Sequence, residues 1–114
     1  MAVHLAPILR VADASAAAEW YARHLQFETE FEHRFEPGFP LYVGIRRDDA
    51  IIHLSEHTGD ARPGTLIYLW VPDVDAAAAA CGNAIVEDND WGRDFEVEDP
   101  DGNRVRVCTP PDGL

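Results

Sequence analysis

The side chains that could do chemistry in this chain are aromatic and acidic rather than nucleophilic. Serines are few, and there is no GxSxG elbow, Walker loop or GxGxxG string, so acyl transfer and nucleotide chemistry have no motif to rest on. Trp91 precedes Gly92 and Arg93 in a polar segment just ahead of a β-rich run, which is where an aromatic at the mouth of a hairpin would stand. Tyr68 and Trp70 share a face of an extended stretch by period two, so both can line one cavity. Phe31, Phe35 and Phe39 flank the loop after the second strand, with Glu30, Glu32 and Glu36 interleaved, while Asp88 and Asp90 precede Trp91. Aromatic faces can sandwich a flat heteroaromatic molecule, and carboxylates can attract its cationic tail. His53, mid-strand in Ile52-His53-Leu54, suits a pocket wall or a hydrogen-bonded strand position, and Arg93 suits either the ligand or a salt bridge that stiffens the hairpin. His24, His33 and His57 read as surface residues, and Trp70 and Phe27 also suit plain core packing.

The bulk properties bound what such a site can serve. At 114 residues the chain makes one domain, 1–114, able to bury a modest core without staples. A net charge of −12 repels phosphate backbones, so nucleic acid is not an expected partner; it suits solubility, an acidic cleft for a cation, or both. Apolar runs fall short of the roughly 20 residues needed to span a bilayer, so no membrane segment is expected. Met1-Ala2-Val3-His4-Leu5 lacks the basic start and apolar core of a signal peptide. Cys81 and Cys108 have neither CxxC spacing nor scaffold density, which points to free thiols in the cytoplasm.

The elements that must position these residues form a weak repeat. Ile8 to Asp13 followed by Ala16-Ala17-Ala18 returns as Tyr68 to Asp73 followed by Ala76-Ala77-Ala78. In each half a strand runs into an Asp that can cap an Ala-rich helix. Ala14, Ala17, Ala18, Tyr21 and Leu25 fall on one helical face, and Gly82-Asn83 suit a left-handed stop for the second helix. Extended segments follow at about 27–35, 41–47 and 50–55, then near 84–87, at 95–98 and at 104–108. Asp99-Pro100-Asp101-Gly102-Asn103 is a tight turn between the last two strands, and 58–64 is a linker. The fold class is α+β: two βαβββ modules in tandem, 1–58 and 64–110, which must pack together to bury their sheets.

A tandem βαβββ chain with Asp-Pro-Asp-Gly-Asn before its last strand resembles the vicinal-oxygen-chelate superfamily of glyoxalases, extradiol dioxygenases and bleomycin-resistance proteins. Within it the likeness is greatest to the bleomycin-resistance proteins. Five strings carry it in order: Ala6-Pro7-Ile8-Leu9, Glu19 to Phe27, Arg47-Asp48-Asp49, Thr65 to Val71, and Trp91-Gly92-Arg93-Asp94-Phe95. The family often has Trp where this chain has Tyr68. The resemblance implies a homodimer with ligand clefts between subunits and an N-terminal strand exchanged around Pro7.

The superfamily's enzymes hold a divalent metal with four strand side chains, which here map to Ala6, His53, Leu66 and Arg106. Only His53 can donate to a metal, and Arg106 is a fixed cation. The expectation is therefore a protein without cofactor or metal that sequesters a cationic aromatic antibiotic of the bleomycin type and gives drug resistance. Trp91, Tyr68, Trp70, Phe35, Phe39, Glu36, His53 and Arg93 are its candidate ligand-binding residues, with none catalytic. The alternative is a metal-dependent lyase, isomerase or dioxygenase with a displaced site on His4, His53 and a carboxylate such as Glu56. A third is an accessory module with no small ligand.

Overall fold

In each half of the chain an aspartate starts the helix. A computed structural model describes residues 2–114. Asp13 accepts the Ala16 N–H and starts α1 (Ala14–Leu25), and Asp73 accepts the Ala76 N–H and starts α2 (Val74–Ala80). The buried face of α1 is Ala14, Ala17, Ala18, Tyr21 and Leu25, as the periodicity predicts. Gln26, in the left-handed conformation, ends α1. After α2, Gly82 and Asn83 both take positive φ.

Each helix covers one face of its own four-stranded sheet. The first sheet has the order β1-β4-β3-β2, from β1 (Ile8–Arg10), β2 (Glu28–Arg34), β3 (Leu41–Arg47) and β4 (Ala50–Ser55). The second has the order β5-β8-β7-β6, from β5 (Leu66–Trp70), β6 (Glu87–Asn89), β7 (Gly92–Glu98) and β8 (Arg104–Thr109). In both, the outer first strand runs parallel to the last and the remaining pairs are antiparallel. The two βαβββ modules of the sequence reading are thus present. Strand alternation sends Leu9, Val43, Ile45 and Leu54 beneath α1, and Leu69, Phe95, Val105 and Val107 beneath α2, all in one core. That burial removes the large apolar side chains from water and is the main stabilising term.

Two segments differ from expectation. The sixth strand lies at Glu87–Asn89 rather than near 84–87, because the Ala84 N–H turns back to the Ala78 carbonyl to close the helix end. The seventh begins at Gly92 rather than Phe95, since Gly92 pairs with Asn89 across the hairpin.

The Asp99–Asn103 turn joins the modules. Asp99 is buried and accepts from the backbone N–H groups of Asp101 and Asn103, from the Asn103 amide and, at 2.9 Å, from the Tyr21 hydroxyl on α1. Asn103 donates to the Arg10 carbonyl and Asp101 accepts from the Ala12 N–H, so three turn residues grip the first module. Burial, reinforced by Asp99, pushes the Tyr21 phenol well above its ordinary range and keeps it a donor.

Candidate functional site

Each sheet has its helix on one face and leaves the other open. On the second sheet that open face is a cavity of about 750 Å³, with Tyr68, Trp70 and Trp91 among its walls. Register arranges its floor in cross-strand rows. Tyr68 stands beside Arg106, which stands beside Glu96; in the next row Trp70 and Asp94 flank Cys108, and Glu87 flanks Asp94. The Tyr68 and Trp70 rings lie 4.6 Å apart between centroids.

Asp94 organises the aromatic corner. One oxygen accepts from the Trp91 indole N–H at 3.1 Å and from the Tyr68 hydroxyl at 3.3 Å, and the other accepts from the Asn89 amide at 3.1 Å. The Tyr68 phenol is pushed up to about 12, first by the Cys108 thiol, then by burial and by Asp94, so it stays protonated at neutral pH. Trp91 occupies the two-residue hairpin between β6 and β7, with its ring mostly exposed. The hairpin needs glycine next: Gly92 has φ +141°, and a Cβ there would lie 2.5 Å from the Thr109 carbonyl oxygen. At the other end of the cavity Glu96 accepts from Arg106 Nε at 3.0 Å and from Arg104 at 3.5 Å. The hydrogen bond from Arg106, with help from Arg104, holds the Glu96 carboxyl below the usual carboxylate range.

Tyr68, Trp70 and Trp91, singled out from sequence, therefore meet in one place. Trp70 does not pack in the core, since its strand turns it to the open face and 53% of it is exposed. Arg93 points away from the cavity and bridges Asp75 at 2.6 Å and Asp88 at 2.8 Å, which fixes the hairpin to α2. His53 stands on the first sheet, where its Nδ1 shares a 2.7 Å hydrogen bond with the Tyr42 hydroxyl and its ring meets Phe31 edge-on. Phe35 and Phe39 stack on one another at 6.5 Å in the exposed β2–β3 loop that also holds Glu36. The Pro7 carbonyl accepts from the His53 N–H of the same chain, while Val3 and Leu5 beyond it are exposed.

The cavity carboxylates are Glu87, Asp94 and Glu96; of those first singled out, Glu30 is paired to Arg46 and Asp88 to Arg93. Asp94 and Glu96 could have been found by period two, since they alternate with Phe95, which faces the core.

The donor set does not fit a metal centre within one chain. The register corrects two of the mapped positions: Ile8 rather than Ala6 stands opposite His53, and Tyr68 rather than Leu66 stands opposite Arg106. Neither Ile8 nor Tyr68 supplies the missing donor, and the Arg106 guanidinium repels a divalent cation. Glu56, a candidate for a displaced site, spends its carboxylate on the Ala14 and Leu41 N–H groups. Among the described residues no three His, Cys, Asp or Glu side chains converge as metal ligands.

Fold and site together define a class: a two-module α+β protein that keeps an aromatic, acid-lined cavity on an open sheet. The chain belongs to the glyoxalase superfamily, whose sequence profile matches residues 2–113. No curated protein matches it in sequence. Among solved structures it is similar to TnmS3, an antibiotic-binding protein from Streptomyces sp. CB03234, with a TM-score of 0.77 and 24% identity over 96% of this chain and 97% of that one. It is also similar to the bleomycin-binding protein of Streptomyces verticillus, solved with copper(II)-bleomycin: TM-score 0.70, 27% identity, 95% and 96% of the two chains. The bleomycin resistance determinant encoded on transposon Tn5 aligns with a TM-score of 0.74 at 21% identity, over 96% and 99%. No helix among the described residues is long and apolar enough to cross a membrane.

Proposed function

We propose that the protein is a metal-free, cytoplasmic binding protein that sequesters a flat, cationic aromatic antibiotic of the bleomycin type and so confers resistance. The observation that carries this is the cavity of about 750 Å³ in which Tyr68, Trp70 and Trp91 meet Glu87, Asp94 and Glu96. Its walls offer stacking surface and negative charge, and no nucleophile with an adjacent base. Capture requires only affinity, which agrees with a donor set unsuited to metal chemistry. The bleomycin-binding protein with which this chain shares its fold supports the ligand class.

The working unit in this proposal is a homodimer of single-domain subunits, each with modules 1–58 and 64–110. Ile8, Phe31, Leu66 and Trp70 leave apolar surface on the open faces, and Val3 and Leu5 leave it on the arm before Pro7. A second copy placed over the cavity would bring the first-sheet residues His53, Phe35, Phe39 and Glu36 to the ligand; Arg93 holds the Trp91 hairpin in place.

Titration with metal-free and copper-loaded bleomycin, followed by tryptophan fluorescence, tests the proposal. Saturable quenching is expected, with Trp91→Ala weakening binding by about 1–3 kcal/mol, as for an aromatic anchor. No quenching by either form would end the bleomycin assignment. Sedimentation as a monomer at micromolar concentration would end the dimer.

A further inference from the structure

We infer that Arg106 is a specificity residue of the cavity, and that it selects a planar aromatic ligand bearing a carboxylate in addition to its cationic group. This rests on the cavity being the aromatic-binding site.

Among the described residues Arg106 is the only cationic side chain in the cavity wall, beside three carboxylates. In a site shaped solely to attract a cation such a residue would oppose binding. The geometry gives it a use. It donates Nε–H to Glu96 at 3.0 Å, and no protein group among the described residues accepts from its two terminal amino groups. Glu96 is itself held from the other side by Arg104, so the guanidinium is steadied along one edge while its outer edge opens into the cavity. Two parallel N–H donors on a planar cation match the two oxygens of a carboxylate, a pairing that a lysine ammonium cannot reproduce.

The negative pole lies close by. Asp94 is diagonal to Arg106 on the neighbouring strand, since their partners are Cys108 and Glu96, which puts the two residues about 7–8 Å apart with their side-chain bases somewhat closer. Tyr68 bridges the poles, being level with Arg106 in the sheet and donating its hydroxyl to Asp94. A fused aromatic ring system laid on Tyr68 would present substituents at its two ends to Arg106 and to Asp94.

Three acridines separate the contributions in calorimetric titrations: 9-aminoacridine as the cation, acridine-9-carboxylate as the anion, and 9-aminoacridine-4-carboxylate carrying both groups. The wild-type protein is expected to bind the last about tenfold more tightly than 9-aminoacridine, the scale of a charge-assisted pair. R106Q should erase that preference, with the circular dichroism and tryptophan fluorescence of the unliganded variant reporting that the cavity is intact. R106K should restore only part of it. Equal affinity of the wild type for the two amines overturns the assignment, as does a preference that survives R106Q; the wild-type comparison decides even where R106Q does not fold. If 9-aminoacridine binds and the carboxylate adds nothing, Arg106 alone loses its role. If none of the three binds, the aromatic-site reading falls and this inference with it.

Discussion

The two modules share a strand order yet treat the same cross-strand row in opposite ways. In the first sheet the row is Ile8, His53, Gly44 and Phe31; in the second it is Tyr68, Arg106 and Glu96. Gly44 has no side chain, and the Phe31 ring lies where one would be, 2.1 Å from the place of a Cβ. There it stacks beside Tyr42 and meets His53 edge-on, so the first sheet is partly roofed by its own strand. The second sheet has no such roof, because β6 is three residues long where β2 is seven, and Ile85, before β6 begins, is exposed at the cavity edge. One scaffold thus yields a self-covered aromatic face and an open charged one, and the length of an edge strand decides which.

Two glycines probe the difference with unequal force. Gly92→Ala should be the most damaging change, because it sets a Cβ against backbone at a positive φ; a loss of about 3 kcal/mol in urea unfolding is expected. Next comes the joint between the modules. Tyr21→Phe removes the hydroxyl from buried Asp99 and should cost about 1–3 kcal/mol in the same measurement. Gly44→Ala meets the Phe31 ring first, which is 40% exposed and can swing away. Its cost should stay below about 1 kcal/mol while the near-ultraviolet circular dichroism of the Tyr42 cluster changes. An equal cost for the two glycine changes would contradict the contrast between a fixed hairpin and a movable roof.

The smallest effect concerns Glu96. Its carboxyl titrates below the ordinary range because Arg106 favours the charged form. The stabilisation is therefore complete above the usual carboxylate range and disappears as pH falls through the lowered folded-state value. The pair is exposed, so its weight in stability is slight. In Arg106→Gln the Glu96 titration followed by NMR should move up toward ordinary behaviour; an unmoved midpoint would remove Arg106 as the cause.

What the sequence discloses is local, and what it hides is long-range. The buried face of α1, both aspartate caps and the shared face of Tyr68 and Trp70 follow from spacing alone, because helix and strand periods act over a few residues. Arg93 beside Asp75 is invisible to spacing, since the two residues lie eighteen positions apart on different elements. Glu56 is a plausible metal ligand until the fold brings the Ala14 N–H of α1 and the Leu41 N–H of β3 to its two oxygens. Phe31 on Gly44 likewise needs the β2–β3 register, which a bulge between Thr29 and Phe31 shifts. The Asp99 turn looks like a hairpin signature, and its tertiary role emerges only once Tyr21 is folded over it.

The Asp99 turn also latches the point where the chain crosses between modules. The grip of Asp99, Asp101 and Asn103 on Tyr21, Arg10 and Ala12 lies beside the 58–64 connection, where Pro63 borders Arg10, Ala12 and Asp101 and the Thr65 N–H donates to Asn103 at 3.0 Å. Hydrogen bonds thus reinforce the peptide link at the point where the chain passes between the modules. A chain severed in that connection would rely on this grip and on the shared core to reassociate, and Asp99→Ala is expected to weaken the pairing of the two fragments in size-exclusion chromatography.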